Sequence, residues 1–242
     1  MTRTLEQAAV EASSCTKCRL AEGRTQVVYG VGAPDADLLF IGEGPGFHED
    51  KQGEPFVGAA GQLLTKMLQG IGLERSEVYI ANIVKCRPPG NRDPQPDEIE
   101  ACTPWLVEQI SLIQPRVVVT LGNFATKFVL NTSTGITRLR GQVHDWHGRT
   151  VIPTFHPAAI LHGGGEKSRQ FQLLKDDFAL VRSTLDDPST GEEAEAPAIA
   201  AGEPVTPEPD RAVLEETASA PGLTDRIVVP ETDPADEQLE LF

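Results

Sequence analysis

From Asp37 to Leu185 the chain repeats one alternation, a short continuous apolar run followed by an amphipathic stretch, and few folds accommodate it. "DLLFIG" (37–42), "EVYIANIVKC" (77–86), "RVVVTLG" (116–122) and "TVIPTFHP" (150–157) read as strands, the first of them buried. Between them, "GAAGQLLTKMLQGIGL" (58–73) carries Leu63, Leu64, Met67 and Leu68 at helical spacing. "QPDEIEACTPWLVEQISLI" (95–113) is helical too, with Asp97, Glu98 and Glu100 suited to the positive end of its dipole. A short helix follows the third strand through Val129, and "KSRQFQLLKDDFALVRSTL" (167–185) forms the last. Strands alternating with helices predict an α/β fold of three layers, α/β/α, around a mostly parallel four-stranded sheet covered on both faces. Functional groups in such sheets gather beyond the C-terminal ends of the strands. "GEGPGFHED", "NIVKCRPPGNR" and "HPAAILHGGG" stand at those ends and predict one composite site.

The formal charge of −15 is spread unevenly over the 242 residues. Residues 186–242 hold 16 acids and 2 bases, a net of −14, so the preceding 185 residues are almost neutral. The low isoelectric point therefore does not exclude a nucleic-acid partner for the first part of the chain, which has room for a local basic patch. The acidic segment also contains 8 of the 19 prolines and no aromatic before Phe242. It cannot bury enough apolar surface to offset its ordering entropy, and is expected to be disordered. This divides the chain into a domain over 1–185, an acidic linker over 186–237 and an abruptly apolar end, "QLELF" (238–242). No run of 18 apolar residues predicts a membrane span, and the N-terminus lacks the apolar core of a signal peptide. A cytoplasmic, reducing compartment is the default, where four cysteines are metal ligands or buried thiols sooner than disulfides.

Those cysteines are Cys15 and Cys18, in "CTKC", then Cys86 and Cys102. The first pair puts two thiols on one tight turn, a device for gripping a soft metal centre. The second pair comes from a strand end and the following helix. A zinc ribbon would supply another Cys-x-x-Cys, which is missing. Four cysteines without histidine also suit an iron–sulfur cluster, and buried thiols at 86 and 102 are the plainer alternative.

"FIGEGPGFHED" (40–50) is a glycine-rich turn after a strand, yet no Gly-Lys-Ser/Thr follows and its acids would repel phosphate. Taken with "GEPFVGAAGQLL", "YIANIVKCRPPGNRDP", "FHPAAIL" and the four cysteines, it closely resembles the family 4 uracil-DNA glycosylases, in order and spacing, from about Cys15 to Leu185. The resemblance implies hydrolysis of the N-glycosidic bond of a uracil flipped out of DNA. It implies Phe56 as the stacking platform, Asn82 as reader of the uracil N3–O4 edge, and His156 as donor to the developing uracil anion. Glu43 would position the hydrolytic water and face the sugar cation. Glu49 would stand beside uracil C5, where bulk excludes the thymine methyl, and Gly42 and Gly44 bring backbone close to the flipped nucleotide. Phe47 and His48 occupy positions where relatives often carry further acids, and no role is assigned to them.

The same resemblance implies a 4Fe-4S cluster on Cys15, Cys18, Cys86 and Cys102, and Ile160 and Leu161 as an apolar wedge filling the gap left by the flipped base. Arg87, Arg92, Arg138 and Arg140, all in predicted loops, are candidates for phosphate contacts. "QLELF" (238–242) resembles the peptide by which bacterial repair proteins dock onto the sliding clamp. The 52-residue linker over 186–237 would span roughly 40 Å as a flexible coil. The expected protein is a monomeric, bacterial, cytoplasmic glycosylase acting on single- or double-stranded DNA. Relatives that trap uracil-DNA without turnover depart from "GEGPG", intact here, and family 5 enzymes lack the carboxylate that Glu43 supplies.

Overall fold

The computed structural model describes residues 3–190. Two helices come first, α1 (Leu5–Ser13) and α2 (Leu20–Gly23), and then strands and helices alternate: β1 (Val31–Gly32), β2 (Leu38–Gly42), α3 (Phe47–Gln52), α4 (Ala59–Gly70) and β3 (Tyr79–Asn82). The chain continues through α5 (Pro96–Ile113), β4 (Val117–Leu121), α6 (Gly122–Leu130), α7 (Ile136–Leu139), β5 (His144–Trp146), β6 (Arg149–Thr154), α8 (Pro157–His162) and α9 (Arg169–Asp186). The sheet order is β1-β3-β2-β4-β6-β5. β3, β2, β4 and β6 run parallel, while β1 and β5 pair antiparallel at the two edges.

The four parallel strands are those the apolar runs predict. Six strands rather than four make up the sheet, because β1 and β5 have two and three residues and show no apolar run. Alternate side chains of the central strands feed two cores. Leu39, Ile41, Ala81 and Val118 join α1 and α5 on one face, while Leu38, Phe40, Ile80 and Val119 join α4 and α9 on the other. Burial on both faces is why the runs lack the alternation of a half-exposed strand.

Helix ends are fixed by local chemistry. The Glu98 carboxylate accepts the Gln95 N–H at 2.8 Å at the start of α5, where Pro96 fills a position with no use for an N–H. At the start of α9, Ser168 Oγ accepts the Phe171 N–H at 3.1 Å. β3 ends at Asn82, four residues short of the expected strand, so that residues 83–86 leave the sheet toward the cysteines. Helices α1, α2, α3, α7 and α8 add to those expected. α9 reaches Asp186, and Arg116 donates to the carbonyls of Asp187 and Thr190, which carries the ordered structure past residue 185. The linker beyond Thr190 and Gln238–Phe242 lie outside the described residues. Among those described, no helix is long and apolar enough to cross a membrane.

From β2 the chain crosses through α4 to β3 on one side, then returns through α5 to β4 on the other. That reversal splays the connections at the C-terminal ends of β2 and β4, the switch point at which α/β sheets bind ligands in a crevice.

Candidate active site and cysteine cavity

Side chains from three strand ends and one loop meet in this crevice. Gly42 and Asn82 are register partners across β2 and β3. A Cβ at Gly42 would lie 2.4 Å from Asn82 Oδ1 and 2.8 Å from the Phe56 ring, so only glycine lets them converge. Gly44, next in the turn, lies against the Val84 side chain. Phe56 is held at φ 55°, a conformation costly for a side chain of this size. What holds it is α4, whose Gly61 packs so closely that a Cβ there would stand 1.6 Å from the Phe56 carbonyl oxygen. The Phe56 and His156 rings lie 5.6 Å apart, tilted by 31°. Asn82 is 1% exposed, and its Oδ1 has no hydrogen-bond partner among the described residues. A buried amide oxygen left unpaired costs stability, and in a ligand crevice it marks where a donor belongs.

Burial sets the charge state of the two ionisable groups. Burial, reinforced by the nearby Asp93 carboxylate, pushes Glu43 up to about 7. His156 is driven down to about 4 by burial, against the opposing pull of Glu49. The imidazole is therefore neutral at pH 7. Its Nδ1 accepts the Ala158 N–H at 3.1 Å in the first turn of α8, which leaves the proton on Nε2 as a donor. Glu49 Oε1 accepts the N–H groups of Val57 and Gly58, each at 3.0 Å, and so ties α3 to the start of α4 beside Phe56.

A second constellation lies behind β3. All four cysteines line one small cavity, with Trp105, Lys85 and Arg24. None is in a disulfide. Among the described residues no three His, Cys, Asp or Glu side chains converge closely enough to hold a single metal ion. The sulfurs surround a space instead of a point. Three of them receive donors: Trp105 Nε1–H to Cys15 at 3.4 Å, the Lys85 N–H to Cys102 at 3.2 Å, and the Arg24 guanidinium to Cys86 at 3.5 Å. Burial raises the thiols of Cys18, Cys86 and Cys102, Cys86 to about 11, so a positively charged centre would be needed to hold these three as thiolates. Lys85 links this cavity to the crevice. Its Nζ is buried and donates to the Asn82 carbonyl at 2.7 Å and to Gln109 Oε1.

Residues 29–179 match the uracil DNA glycosylase superfamily. The type-4 uracil-DNA glycosylase of Sulfurisphaera tokodaii is 46% identical over 188 residues, 74% of this chain and 84% of that protein. The type-4 enzyme of Archaeoglobus fulgidus is 48% identical over 167 residues, 66% of this chain and 84% of its own. A type-5 uracil-DNA glycosylase of Thermus thermophilus is 35% identical over 118 residues, 43% of this chain and 53% of its own. The chain belongs to the uracil DNA glycosylase superfamily.

Within this superfamily chain, the expected DNA-facing residues separate. Leu161 is 40% exposed, whereas Ile160 is fully buried in the core with Phe56 and Phe155. Consecutive residues on a helix point about 100° apart, so only Leu161 has the surface a wedge needs. Arg138 is exposed on α7, and Arg87 donates to Asn91 Oδ1 at 2.6 Å while covering the Phe47 ring. Arg92 and Arg140 are committed elsewhere. Arg92 grips the buried Glu98 through two nitrogens, holding its carboxylate below the usual range. Arg140 forms a forked pair with the buried Asp177, donates to the Leu173 carbonyl at 2.9 Å and stacks over Phe155. Each guanidinium is paired with a buried carboxylate, which its removal would leave unpaired. Sequence reasoning missed Lys85, Asp177 and Gly61. Of these, Lys85 stood within the recognised motif "NIVKCRPPGNR" and Gly61 within "GEPFVGAAGQLL", whereas Asp177 stood in none.

Proposed function

We propose that this chain removes uracil from DNA by hydrolysing its N-glycosidic bond, in the manner of the type-4 enzymes. The observation that carries the reading is the buried, unpartnered Asn82 Oδ1, which converges on Gly42 with the Phe56 ring, itself 5.6 Å from a neutral His156. A flipped uracil stacks on Phe56. Its N3–H donates to Asn82 Oδ1 and its O4 accepts from the amide nitrogen, a pattern that cytosine reverses. His156 Nε2–H donates to O2. As the C1′–N1 bond breaks, its electron pair moves onto uracil and spreads to O2, where a preorganised neutral donor gains strength. Glu43 as a carboxylate faces the developing sugar cation and orients a water. The water oxygen bonds to C1′ and its proton passes to Glu43, leaving uracil and an abasic sugar. Glu49, tied to the turn before α4, stands as the guard against the thymine methyl. The glycosylase works as a monomer in the bacterial cytoplasm, on single- or double-stranded DNA.

Cys15, Cys18, Cys86 and Cys102 would hold a 4Fe-4S cluster. The fit rests on four thiols ringing one cavity and on N–H groups directed at three of the sulfurs, as iron–sulfur sites use. When bound, the cluster supplies a cross-link among the N-terminal segment, the end of β3 and α5; the hydrolysis itself moves no electron. The sequence of Gln238–Phe242 further supports docking on the sliding clamp, and unchanged clamp affinity on deleting 238–242 would refute that.

The excision reading is tested with uracil-containing oligonucleotides, measuring free uracil and alkali-labile sites. Wild type should release uracil, and His156→Ala should lower kcat by on the order of 10²–10³-fold, the usual cost of one such donor. Glu43→Gln should also be severely impaired. Wild-type rates in both variants would overturn the mechanism.

A further inference from the structure

Phe47 is 44% exposed, the one aromatic among the large hydrophobic side chains that stand exposed in the described residues. It belongs to neither core. Two cations attend its ring: Lys51 Nζ at 4.4 Å from the centroid, one turn along α3, and the Arg87 guanidinium at 5.2 Å. His48 meets it edge-on at 5.5 Å. Arg87 comes from the loop after β3, and the two loops are joined where the Val84 N–H donates to the Glu43 carbonyl at 3.1 Å. The patch therefore borders the crevice, four residues from Glu43. Leu161 rises after β6, two strands from β2, on the order of 10 Å across the mouth at ordinary strand spacing.

An exposed ring flanked by cations is the combination that binds single-stranded nucleic acid. The ring offers a stacking face to any base, and the cations meet the neighbouring phosphates. A paired base is already stacked on its neighbours and is not available to it. We infer that Phe47, with Lys51 and Arg87, is a stacking platform for the unpaired base adjoining the flipped uracil in single-stranded DNA. This rests on the reading that the crevice takes the flipped uracil, and it adds a second base site outside it that favours single-stranded substrate.

The test compares Phe47→Ala and Phe47→Trp with wild type on a uracil oligonucleotide, single-stranded and in duplex. Two further single strands carry an abasic spacer on one side or the other of the uracil. Phe47→Ala should raise KM on the single strand by on the order of ten-fold with kcat retained, leave the duplex KM within about two-fold, and be rescued by Phe47→Trp. With the spacer at the adjoining position, wild type should fall to the KM of Phe47→Ala, and the variant should show no further loss. An unchanged single-strand KM in Phe47→Ala, or equal spacer penalties in wild type and variant, overturns the proposal. So does an equal loss on both substrates, which would make the ring a local brace or a contact for another protein. Anisotropy with a uracil-free single strand reads the platform independently of excision. If wild type released no uracil, the crevice reading would fail, while weaker binding of that strand by Phe47→Ala would still support the platform.

Discussion

Glu43 and His156 are shifted in opposite senses by the same cause, since burial disfavours the charged form of each. Their useful states coincide above about pH 7, with Glu43 a carboxylate and His156 neutral. The kcat/KM profile should accordingly rise with the ionisation of Glu43 near pH 7, and His156 should add no limb between pH 5 and 8. A profile flat from pH 5 to 8 would contradict this. The same shift bears on stability. Glu43 ordinarily ionises near 4.5, and its folded value is higher, so the folded state holds the proton more tightly than the unfolded one. The stability this confers is complete below pH 4.5 and lost as the pH rises through 7. Glu43→Gln should therefore match wild type in melting temperature near pH 4 and exceed it at pH 8, while losing activity. Equal melting temperatures at pH 8 would argue against a buried, strained carboxylate.

Between elements, the polar ties are what the sequence leaves hidden. Arg140, after α7, and Asp177, within α9, are 37 residues apart, and no local pattern joins them. Thr154 at the end of β6 also donates to Asp177, at 2.5 Å. Arg140, a candidate for phosphate, is also a strut between the sheet and α9. Arg140→Met should destabilise the fold by about 3–5 kcal/mol, because it leaves Asp177 buried and unpaired. The double variant Arg140→Met/Asp177→Leu should recover most of that loss in denaturant unfolding. A loss under about 1 kcal/mol in the single variant would place Arg140 back among the surface cations. The strands β2, β3, β4 and β6 were legible because burial on both faces leaves a continuous apolar signature. The edge strands β1 and β5 were not, being too short to carry one. α3 and α8 were hidden for another reason. They are six-residue helices opened by Gly46 and by His156-Pro157, whose composition reads as loop. The separate fates of Ile160 and Leu161 followed from that unseen helix.

On the scale of the molecule, the crevice and the cysteine cavity sit on either side of the end of β3 and share Lys85. Its backbone N–H faces Cys102, and its ammonium holds the Asn82 carbonyl. Asn82, proposed to read the base, and Cys86, on the wall of the cysteine cavity, thus belong to one segment, 82–86. The family resemblance made the cysteines and the pocket residues readable as two sets, while their connection required the fold. Protein carrying the proposed cluster should be brown, with absorbance in the visible blue. Removing the cluster with chelator and oxidant should lower the melting temperature and weaken uracil release together, since both depend on this segment. Bleaching without any loss of melting temperature would contradict a structural role.

That a buried asparagine with an unpaired oxygen reads uracil is the proposal on which the mechanism rests. It is tested most directly by single-turnover excision from matched single strands bearing uracil or cytosine, with wild type and Asn82→Ala. Wild type should cut uracil and spare cytosine, and Asn82→Ala should lose on the order of 10²-fold or more on uracil while keeping a cooperative unfolding transition. Wild-type uracil excision by a folded Asn82→Ala protein would contradict the account.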